Sequence, residues 1–471
     1  MTLEEILAER PSPGQPRTYR FPAFERTVLP SGLQVLAVHV PGRPLVSANL
    51  VFRWGAGDEP RDLAGATVLA ARAMTEGTER YPGVELIEAA ERLGATLHVD
   101  ATWDAFVAAV EVAAPRLEAA LELLAELAER PTFPEPDVAR LRDERLNDLM
   151  QARADPRRRV ERAFSATIYA PDSPYARPAG GDEEAVIRLS PDALRAVHAS
   201  ILAPGRAALI VGGDLTGLAV PKLGERVFGS LGGATPPVTA TASPPAASAV
   251  ARPVVRFYHR PGSVQTELRI GHVGLPRLVP DFHAVGVMAA ILGGLFNSRL
   301  QMNLREDKGY TYGVGAGFDM RRGAGPFAVR TAVQTAATVP AIIETLSELR
   351  RIRETAVTKA ELAAARDYLV GVFPLRFETP GAVVGALAGL FVHELPDDEL
   401  ARYRDATEAV TVADVQAAAH EHIDLDRIAI VAVGDADAVA GELESAGLGE
   451  LEVIVEDPPL GAASVSGEEG E

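Results

Sequence analysis

Residues 189–214 read LSPDALRAVHASILAPGRAALIVGGD, and residues 410–435 read VTVADVQAAAHEHIDLDRIAIVAVGD. The two stretches align without a gap at a constant offset of 221 residues. In each, apolar residues at helical spacing are followed by a short continuous apolar run that is typical of a buried strand. The same helix–strand unit is therefore predicted twice in one chain.

Three landmarks recur inside the two stretches in the same register. They are a capping residue before the helix, an arginine before the strand and a Gly-Asp turn after it. The matching residues are Ser190 and Thr411, Arg206 and Arg427, and Gly213-Asp214 and Gly434-Asp435. A helix–strand pattern alone could recur by chance, but three landmarks at one offset are less easily explained in that way. We therefore predict an internal duplication.

The clearest linker separates the two copies. Residues 232–253, GGATPPVTATASPPAASAVARP, are Pro-, Ala-, Ser- and Thr-rich and carry no charge until Arg252, which is typical of an extended connector. The predicted organisation is an N-terminal domain at 20–231, the linker, a C-terminal domain at 254–450 and an acidic tail at 451–471 that we expect to be disordered.

Each half begins with strand patterns and continues with helix patterns. Strands are predicted at 33–40 and 254–259, and apolar helices at 64–74 and 282–294. Because strands and helices are mixed without strict alternation, we predict an α+β fold with two sheet-plus-helix domains rather than a Rossmann fold.

The net charge and the cysteine content of the chain exclude or disfavour several classes of function. The chain has 471 residues, a formal net charge of −19 and no cysteine. The charge disfavours nucleic acid and anionic membrane as partners, and the absence of cysteine excludes disulfides and thiolate metal sites. No apolar run of about 18 residues and no signal-like start occur, so we expect no membrane span and a cytoplasmic location.

Three motifs of the first half resemble the pitrilysin/insulinase family of zinc peptidases, the inverzincins. They are PSGLQVLAV (30–38), FRWGAGDEP (52–60) and a small-residue helix ending in EGT (76–78). Together with the duplicated Gly-Asp endings, the resemblance covers about residues 24–445. It implies a duplicated metallopeptidase-like unit forming a clam-like chain.

The family's zinc motif is missing. Its H-x-x-E-H helix uses two histidines as ligands and the glutamate as the base for water. Counted back from Gly77-Thr78, these positions fall on Val68, Ala71 and Arg72. The downstream carboxylate ligand falls near Asp148, which alone cannot hold zinc and is more simply a solvated helix-face residue.

The nine histidines do not supply a substitute motif. None forms an H-x-x-E-H or H-x-x-x-H pair, and His420 and His422 are two residues apart on a predicted helix and so face different sides. His39 and His98 lie in strand patterns and are most simply core or sheet-surface residues. We therefore predict no metal and no cofactor in this chain.

A second family motif is complete. Residues 297–314 read NSRLQMNLREDKGYTYGV and match a run that, in the resembled family, carries an arginine and a tyrosine reaching the zinc site. The matching residues are Arg305 and Tyr312, whose side chains can donate to a substrate carbonyl and to the oxyanion. Tyr310 is a nearby decoy that we expect to pack or to line the cleft.

The resemblance implies a non-catalytic subunit of a two-subunit peptidase, inactive alone. A homologous partner would hold zinc, and this chain would supply Arg305 and Tyr312 in trans for proteolysis of peptides or unfolded segments. Two alternatives stay open: an inert scaffold of the same fold, which has no need of the Arg–Tyr pair, and a stand-alone peptidase with a new zinc site, which the histidines disfavour.

Overall fold

A computed structural model describes residues 18–42, 44–203, 205–231 and 248–455. The strands of the first half are β1 (Phe24–Val28), β2 (Gln34–His39), β3 (Leu45–Phe52), β4 (Thr96–Ala101), β5 (Phe106–Ala113) and β6 (Ala207–Gly213). Its helices are α1 (Ala66–Ala73), α2 (Glu85–Leu93), α3 (Leu117–Glu129), α4 (Glu135–Ala154), α5 (Pro156–Ile168), α6 (Glu183–Val186), α7 (Pro191–Ile201) and α8 (Val220–Phe228).

The second half repeats this order of elements except that it lacks a counterpart of β1, has no α-helix at the place of α2 and ends in an additional strand. Its strands are β7 (Val254–His259), β8 (Gln265–Val273), β9 (Val314–Phe318), β10 (Pro326–Gln334), β11 (Ala429–Gly434) and β12 (Glu450–Ile454). Its helices are α9 (Phe282–Ala289), α10 (Thr338–Glu354), α11 (Lys359–Val372), α12 (Pro380–Val392), α13 (Glu399–Ala409), α14 (Val412–His422) and α15 (Ala436–Ala446). Two π-helical segments, Ala290–Gly294 and Gln301–Asp307, follow α9.

Each half forms a six-stranded sheet. The strand orders are β1-β2-β6-β3-β5-β4 and β12-β7-β11-β8-β10-β9. The last five strands of each order correspond one to one, with β2 and β7 parallel to β6 and β11 and the other pairs antiparallel. The edge strands β1 and β12 differ, since β1 is antiparallel and β12 parallel to its neighbour. The predicted α+β class with two sheet-plus-helix units is confirmed.

The predicted repeat is confirmed at the level of side chains. Ser190 and Thr411 cap α7 and α14 by accepting backbone N–H groups of the first turn. At the end of β2, Nδ1 of His39 accepts the Leu215 N–H at 3.1 Å, and Nδ1 of His259 at the end of β7 accepts the corresponding N–H after the second Gly-Asp at 3.1 Å. A histidine thus holds the same turn in both halves.

One face of each sheet is covered by helices of its own half. Leu50 of β3 shares a buried core with Leu121 of α3, and Ile270 of β8 shares one with Ile342 of α10. These helices place apolar residues at helical spacing on the side that faces the sheet, so burial of that side drives their packing.

The other face of each sheet is covered by a helix from the opposite half. Helix α12 packs on β3 and β6, where Leu387 joins Val51 and Ile210. Helix α5 packs on β11 and β8, where Phe164 joins Val431. Both helices begin with a proline after a capping side chain, so they are equivalent elements of the repeat. Because of this reciprocal exchange, neither half completes its core without the other.

Two hairpin turns meet between the halves. The turn between β9 and β10 carries Arg322, whose guanidinium donates to both carboxylate oxygens of Asp58 at 2.9 and 3.2 Å. Its backbone N–H donates to Asp104 in the turn between β4 and β5. The next residue, Gly323, donates its N–H to the hydroxyl of Tyr175. Asp58 is 2% exposed, so this ion pair is buried at the junction.

Two expected boundaries need correction. Residues 232–247 of the predicted linker lie outside the described residues, but its last residues are packed: Ser248 forms a β-bridge with Tyr169, and Val250 is buried. The predicted tail was placed too early, because Glu450–Ile454 pair with β7 as an edge strand. Residues 456–471 lie outside the described residues.

Among the described residues, a single helix long and apolar enough to cross a membrane does not occur. Lys359–Phe377 and Pro380–Val392 satisfy that test only together, and they are bent by 113°. The second of these segments is α12, which packs on the first sheet.

Candidate functional site

Helix α1 carries the positions at which the resemblance predicts zinc ligands. Its N-terminus is held by the buried carboxylate of Glu59, which accepts the N–H groups of Gly65 and Thr67 at 2.8 and 2.5 Å. Burial raises the pKa of Glu59 to about 7, although these hydrogen bonds and the nearby Arg177 act in the opposite direction. Glu59 thus fixes the start of the helix that presents the candidate positions.

The three positions do not fit a metal ion. Val68 and Ala71 offer no ligand atom, and Ala71 is buried in the core. Arg72 is itself a cation and donates to Glu144 of α4 at 2.8 Å. Zinc needs neutral imidazole, thiolate or carboxylate donors. This helix therefore cannot bind a catalytic zinc ion.

Asp148, the candidate carboxylate, is occupied by two arginines of its own half. It accepts Nη1 of Arg145 at 2.5 Å and Nη2 of Arg158 at 2.7 Å. Partial burial would raise the pKa of Asp148, but Arg158 and Arg145 outweigh burial and lower it. The residue is an anchor of an ion-pair network rather than the freely solvated side chain expected from the sequence.

Two other groups of the described residues bring metal-ligand side chains together. The first is His259 with Asp435 and Asp437. Because Nδ1 of His259 accepts the Ala436 N–H, the proton of the neutral ring lies on Nε2, which faces Asp437 at 3.8 Å. With Nδ1 accepting a hydrogen bond and Nε2 protonated, this ring offers no lone pair to a metal ion.

The second group is Asp281, Glu421 and His422. Nε2 of His422 lies 2.7 Å from the Asp281 carboxylate. The contact joins the C-terminal end of α14 to the residue before α9. A hydrogen bond between helix ends accounts for it.

The Arg–Tyr motif of the second half lies on an unusual backbone. Arg305 belongs to the π-helical segment Gln301–Asp307. Such segments are rare and occur frequently at functional sites. The chain then reverses at Gly309, whose φ of +66° is a left-handed conformation that glycine adopts without strain. The reversal brings Tyr312 back beside Arg305, which explains their spacing of seven residues.

Arg305 lies close to two aromatic rings and pairs with the adjacent Glu306 at 3.3 Å. Its guanidinium carbon lies 5.2 Å from the centre of the Tyr312 ring and 4.9 Å from that of Phe296. Tyr312 is 91% exposed and Phe296 69% exposed. Cation–π attraction at these distances orients a guanidinium without using all its hydrogen-bond donors. The arrangement therefore presents an oriented arginine and a phenol to the exterior of the chain.

The backbone beside Tyr312 is fixed by its neighbours. The Thr311 hydroxyl donates to the Ala332 carbonyl of β10 at 2.7 Å and accepts the Gly313 N–H at 3.1 Å. Tyr310 packs against the second core, as expected, and its N–H donates to the Leu304 carbonyl. Only the Tyr312 side chain points outward, so an exposed side chain stands on a constrained loop.

The structure does not bring the two candidate sets together. A small cavity beside Val68 and Arg72 is lined, within the described part of the chain, by first-half residues alone. Arg305 and Tyr312 lie in the second half. Sequence reasoning missed Phe296 and Arg145. The position of an aromatic residue directly before the NSRL motif could have indicated Phe296. Arg145 has no such signal, because its sequence context is that of an ordinary helix-surface residue.

Fold and site together define a class: a duplicated metallopeptidase-like chain without metal ligands on its motif helix. Two family models match consecutive parts of it. One, described as "Insulinase (Peptidase family M16)", matches residues 34–179, and the other, "Peptidase M16 inactive domain", matches residues 188–369. The chain belongs to peptidase family M16 and is a member that lacks the catalytic motif.

Curated and solved relatives agree with this assignment. An "uncharacterized zinc protease" of Mycobacterium leprae is 24% identical over 84% of this chain and 88% of its own length. A "non-peptidase homolog" of Helicobacter pylori is 24% identical over 75% of this chain and 80% of its own. A crystal structure of a "peptidase M16 inactive domain" from Pseudomonas fluorescens has a TM-score of 0.81 at 26% identity, covering 88% of this chain and 98% of that one.

Proposed function

We propose that this chain is the non-catalytic subunit of a heteromeric zinc peptidase and supplies Arg305 and Tyr312 in trans to the zinc site of a homologous partner. The observation that carries the proposal is the half-buried Arg305 guanidinium beside the exposed Tyr312 ring, in a chain with no zinc ligands at Val68, Ala71 and Arg72. Within the described chain the guanidinium forms an ion pair with the adjacent Glu306 at 3.3 Å, and the Tyr312 side chain stays open to a second chain.

Each side chain has a distinct task in this proposal. The Tyr312 hydroxyl would donate a hydrogen bond to the oxygen of the scissile peptide carbonyl, and zinc held by the partner would supply the activated water. The Arg305 guanidinium donates to a neighbouring substrate carbonyl and holds the peptide in register. Phe296, whose ring centre lies 4.9 Å from the guanidinium carbon of Arg305, acts by positioning that guanidinium.

The substrate is proposed to be a peptide or unfolded segment bound in extended form. Strand β9 begins two residues after Tyr312 and stands at the end of the second sheet's strand order. An edge strand can pair with an added peptide strand through main-chain hydrogen bonds. The net charge of −19 favours basic peptides over acidic ones.

The names of two relatives support a non-catalytic role. The Helicobacter pylori relative is named a non-peptidase homologue, and the Pseudomonas fluorescens structure an inactive domain. The alternative is an inert scaffold, in which the stacked pair only holds a turn. Nucleic acid and membrane are not proposed as partners, and the proposed location is cytoplasmic.

Reconstitution tests the proposal. The chain is used to recover a zinc-bearing homologue of similar size from the native cell, and a fluorogenic peptide is assayed with each chain alone and with both. We expect hydrolysis only in the mixture. Recovery of self-complexes alone counts against a heteromer, a partner equally active alone favours the scaffold, and activity of this chain alone contradicts both.

A further inference from the structure

A guanidinium occupies the neighbourhood of the missing metal. The small cavity at the zinc-equivalent face of α1 is lined by Val68 and Arg72 from that helix and by Arg145 from α4. The other lining residues are Gly65, Leu69, Gly180, Val186 and Leu189. A permanently charged side chain therefore stands beside both positions at which the family places histidines.

Three oxygen atoms surround the Arg145 guanidinium. Nη1 donates to the carboxylate of Asp148 at 2.5 Å, Nε donates to the carbonyl of Gly180 at 2.9 Å, and Nη2 donates to the carbonyl of Gly181 at 3.3 Å. One carboxylate and two carbonyls make up an acceptor set suited to a cation. The Asp148 carboxylate that could have served a metal is thereby already engaged.

The backbone around Arg145 is shaped for this contact. A Cβ atom at Gly180 would lie 2.9 Å from both Cζ and Nε of Arg145, so a side chain there would push the guanidinium out of its present position. Glycine at 180 thus leaves room for the guanidinium beside the loop. This close approach and the three hydrogen bonds distinguish Arg145 from an arginine lying loosely on a helix surface.

We infer that Arg145 is an internal cation that replaces the metal of the family's site. It ties α4 and its Asp148 to the 180–181 loop beside α1 without any bound ion. It also keeps divalent cations out, since a metal ion here would meet a positive charge at close range and lack a free carboxylate. The site has been converted to a metal-independent ion-pair network, and not merely stripped of its ligands.

Restoring the ligands in two backgrounds tests this inference without any partner or activity assay. The first variant carries Val68→His and Arg72→His, with Arg145 and Asp148 unchanged. The second carries the same changes plus Arg145→Leu, which removes the charge that lines the cavity and, among the described residues, leaves Asp148 paired only with the more exposed Arg158. A matched control carries Arg153→Leu instead, which removes another arginine of α4 that contacts Glu183 and does not line the cavity. Zinc is the probe, measured by elemental analysis after dialysis and by chelator competition.

The second variant is expected to bind one zinc per chain about 100-fold more tightly than the first or the control. Equal affinity in all three overturns the inference, and so does absence of zinc from the second variant while it remains folded by circular dichroism. In the natural sequence, Arg145→Leu is expected to lower the melting temperature by several degrees, whereas a chelator leaves that of the unsubstituted chain unchanged. An unchanged melting temperature in Arg145→Leu also contradicts the inference.

Discussion

The guanidinium carbon of Arg305 lies over the Tyr312 ring, 5.2 Å from its centre, and the ring is exposed at the exterior of the chain. The contact joins a π-helical segment to the loop that precedes β9, and Arg305 also pairs with the adjacent Glu306. Stacking leaves the phenol hydroxyl free to face a partner. The predictions below test this pair and the fold that presents it.

Truncating Phe296 should weaken the proposed site through Arg305 alone. The Phe296→Ala variant loses one of the two rings that orient the guanidinium, a contact worth about 0.5–1 kcal/mol at an exposed position. We expect kcat/KM of the reconstituted complex to fall about two- to fivefold. In an Arg305→Ala background the same change should have no further effect, and an additive loss would show that Phe296 acts independently.

A core substitution in the second half should loosen the first sheet. Leu387→Ala removes a fully buried side chain of α12 that packs on strands of the opposite half, and should cost about 2–5 kcal/mol of unfolding free energy. Hydrogen exchange should accelerate in β3 and β6. The control Leu375→Ala, at a position 63% exposed, should be nearly neutral. Faster hydrogen exchange confined to the second sheet would contradict the packing of α12 on the first sheet.

The ion pair between Arg322 and Asp58 should contribute far more to the free energy of unfolding than a surface ion pair that also joins the two halves. Arg322→Ala leaves the buried Asp58 carboxylate without its cation and should cost about 3–5 kcal/mol in chemical denaturation. Arg26→Ala, which breaks the exposed pair with Asp397, should cost at most about 1 kcal/mol. Similar losses from both variants would show that the hairpin junction is not a buried anchor.

Glu59 should make stability depend on pH near neutrality. Its pKa is raised from the ordinary value of 4.5 to about 7 by burial, so the folded chain binds this proton more tightly than the unfolded chain. Its contribution is therefore complete below pH 4.5 and is lost as pH rises to 7, by up to about 3 kcal/mol. Glu59→Gln should make the unfolding free energy less dependent on pH over this range. An unchanged pH dependence would contradict the raised pKa of Glu59.

Local features of the fold were predictable from the sequence. Strand β7 begins and ends where the apolar run 254–259 does, and the caps at Ser190 and Thr411 are formed as predicted. Such features depend on residues close together in the chain. The duplication was visible for the same reason, since it repeats local patterns at one offset.

Long-range features were not predictable. Helix α5 is amphipathic and α12 is apolar along nearly its whole length, and neither pattern indicates which of the two sheets the helix covers. Arg145 and Asp148, three residues apart, resemble an ordinary helix-surface ion pair, and the carbonyls that complete the contact come from residues 180 and 181. The stack on Phe296 likewise depends on how the π-helical segments are placed.

The central claim rests on one hydroxyl and one guanidinium, which should affect different kinetic constants. Arg305→Ala should raise KM and also lower kcat, because Arg305 acts partly in binding. Tyr310→Phe serves as the matched control, since Tyr310 packs against the core and is proposed to touch no substrate. All variants must be compared as complexes of equal melting temperature.

The most direct measurement is kcat of the reconstituted complex carrying Tyr312→Phe, with the zinc-bearing partner bound. The substitution removes a single hydroxyl and leaves the stacked ring in place. If that hydroxyl faces the oxyanion, kcat should fall by about 10²–10³, equivalent to about 3–4 kcal/mol of transition-state stabilisation. Unchanged kcat in the intact complex would contradict the account and make this chain a scaffold whose arginine and tyrosine only shape a turn.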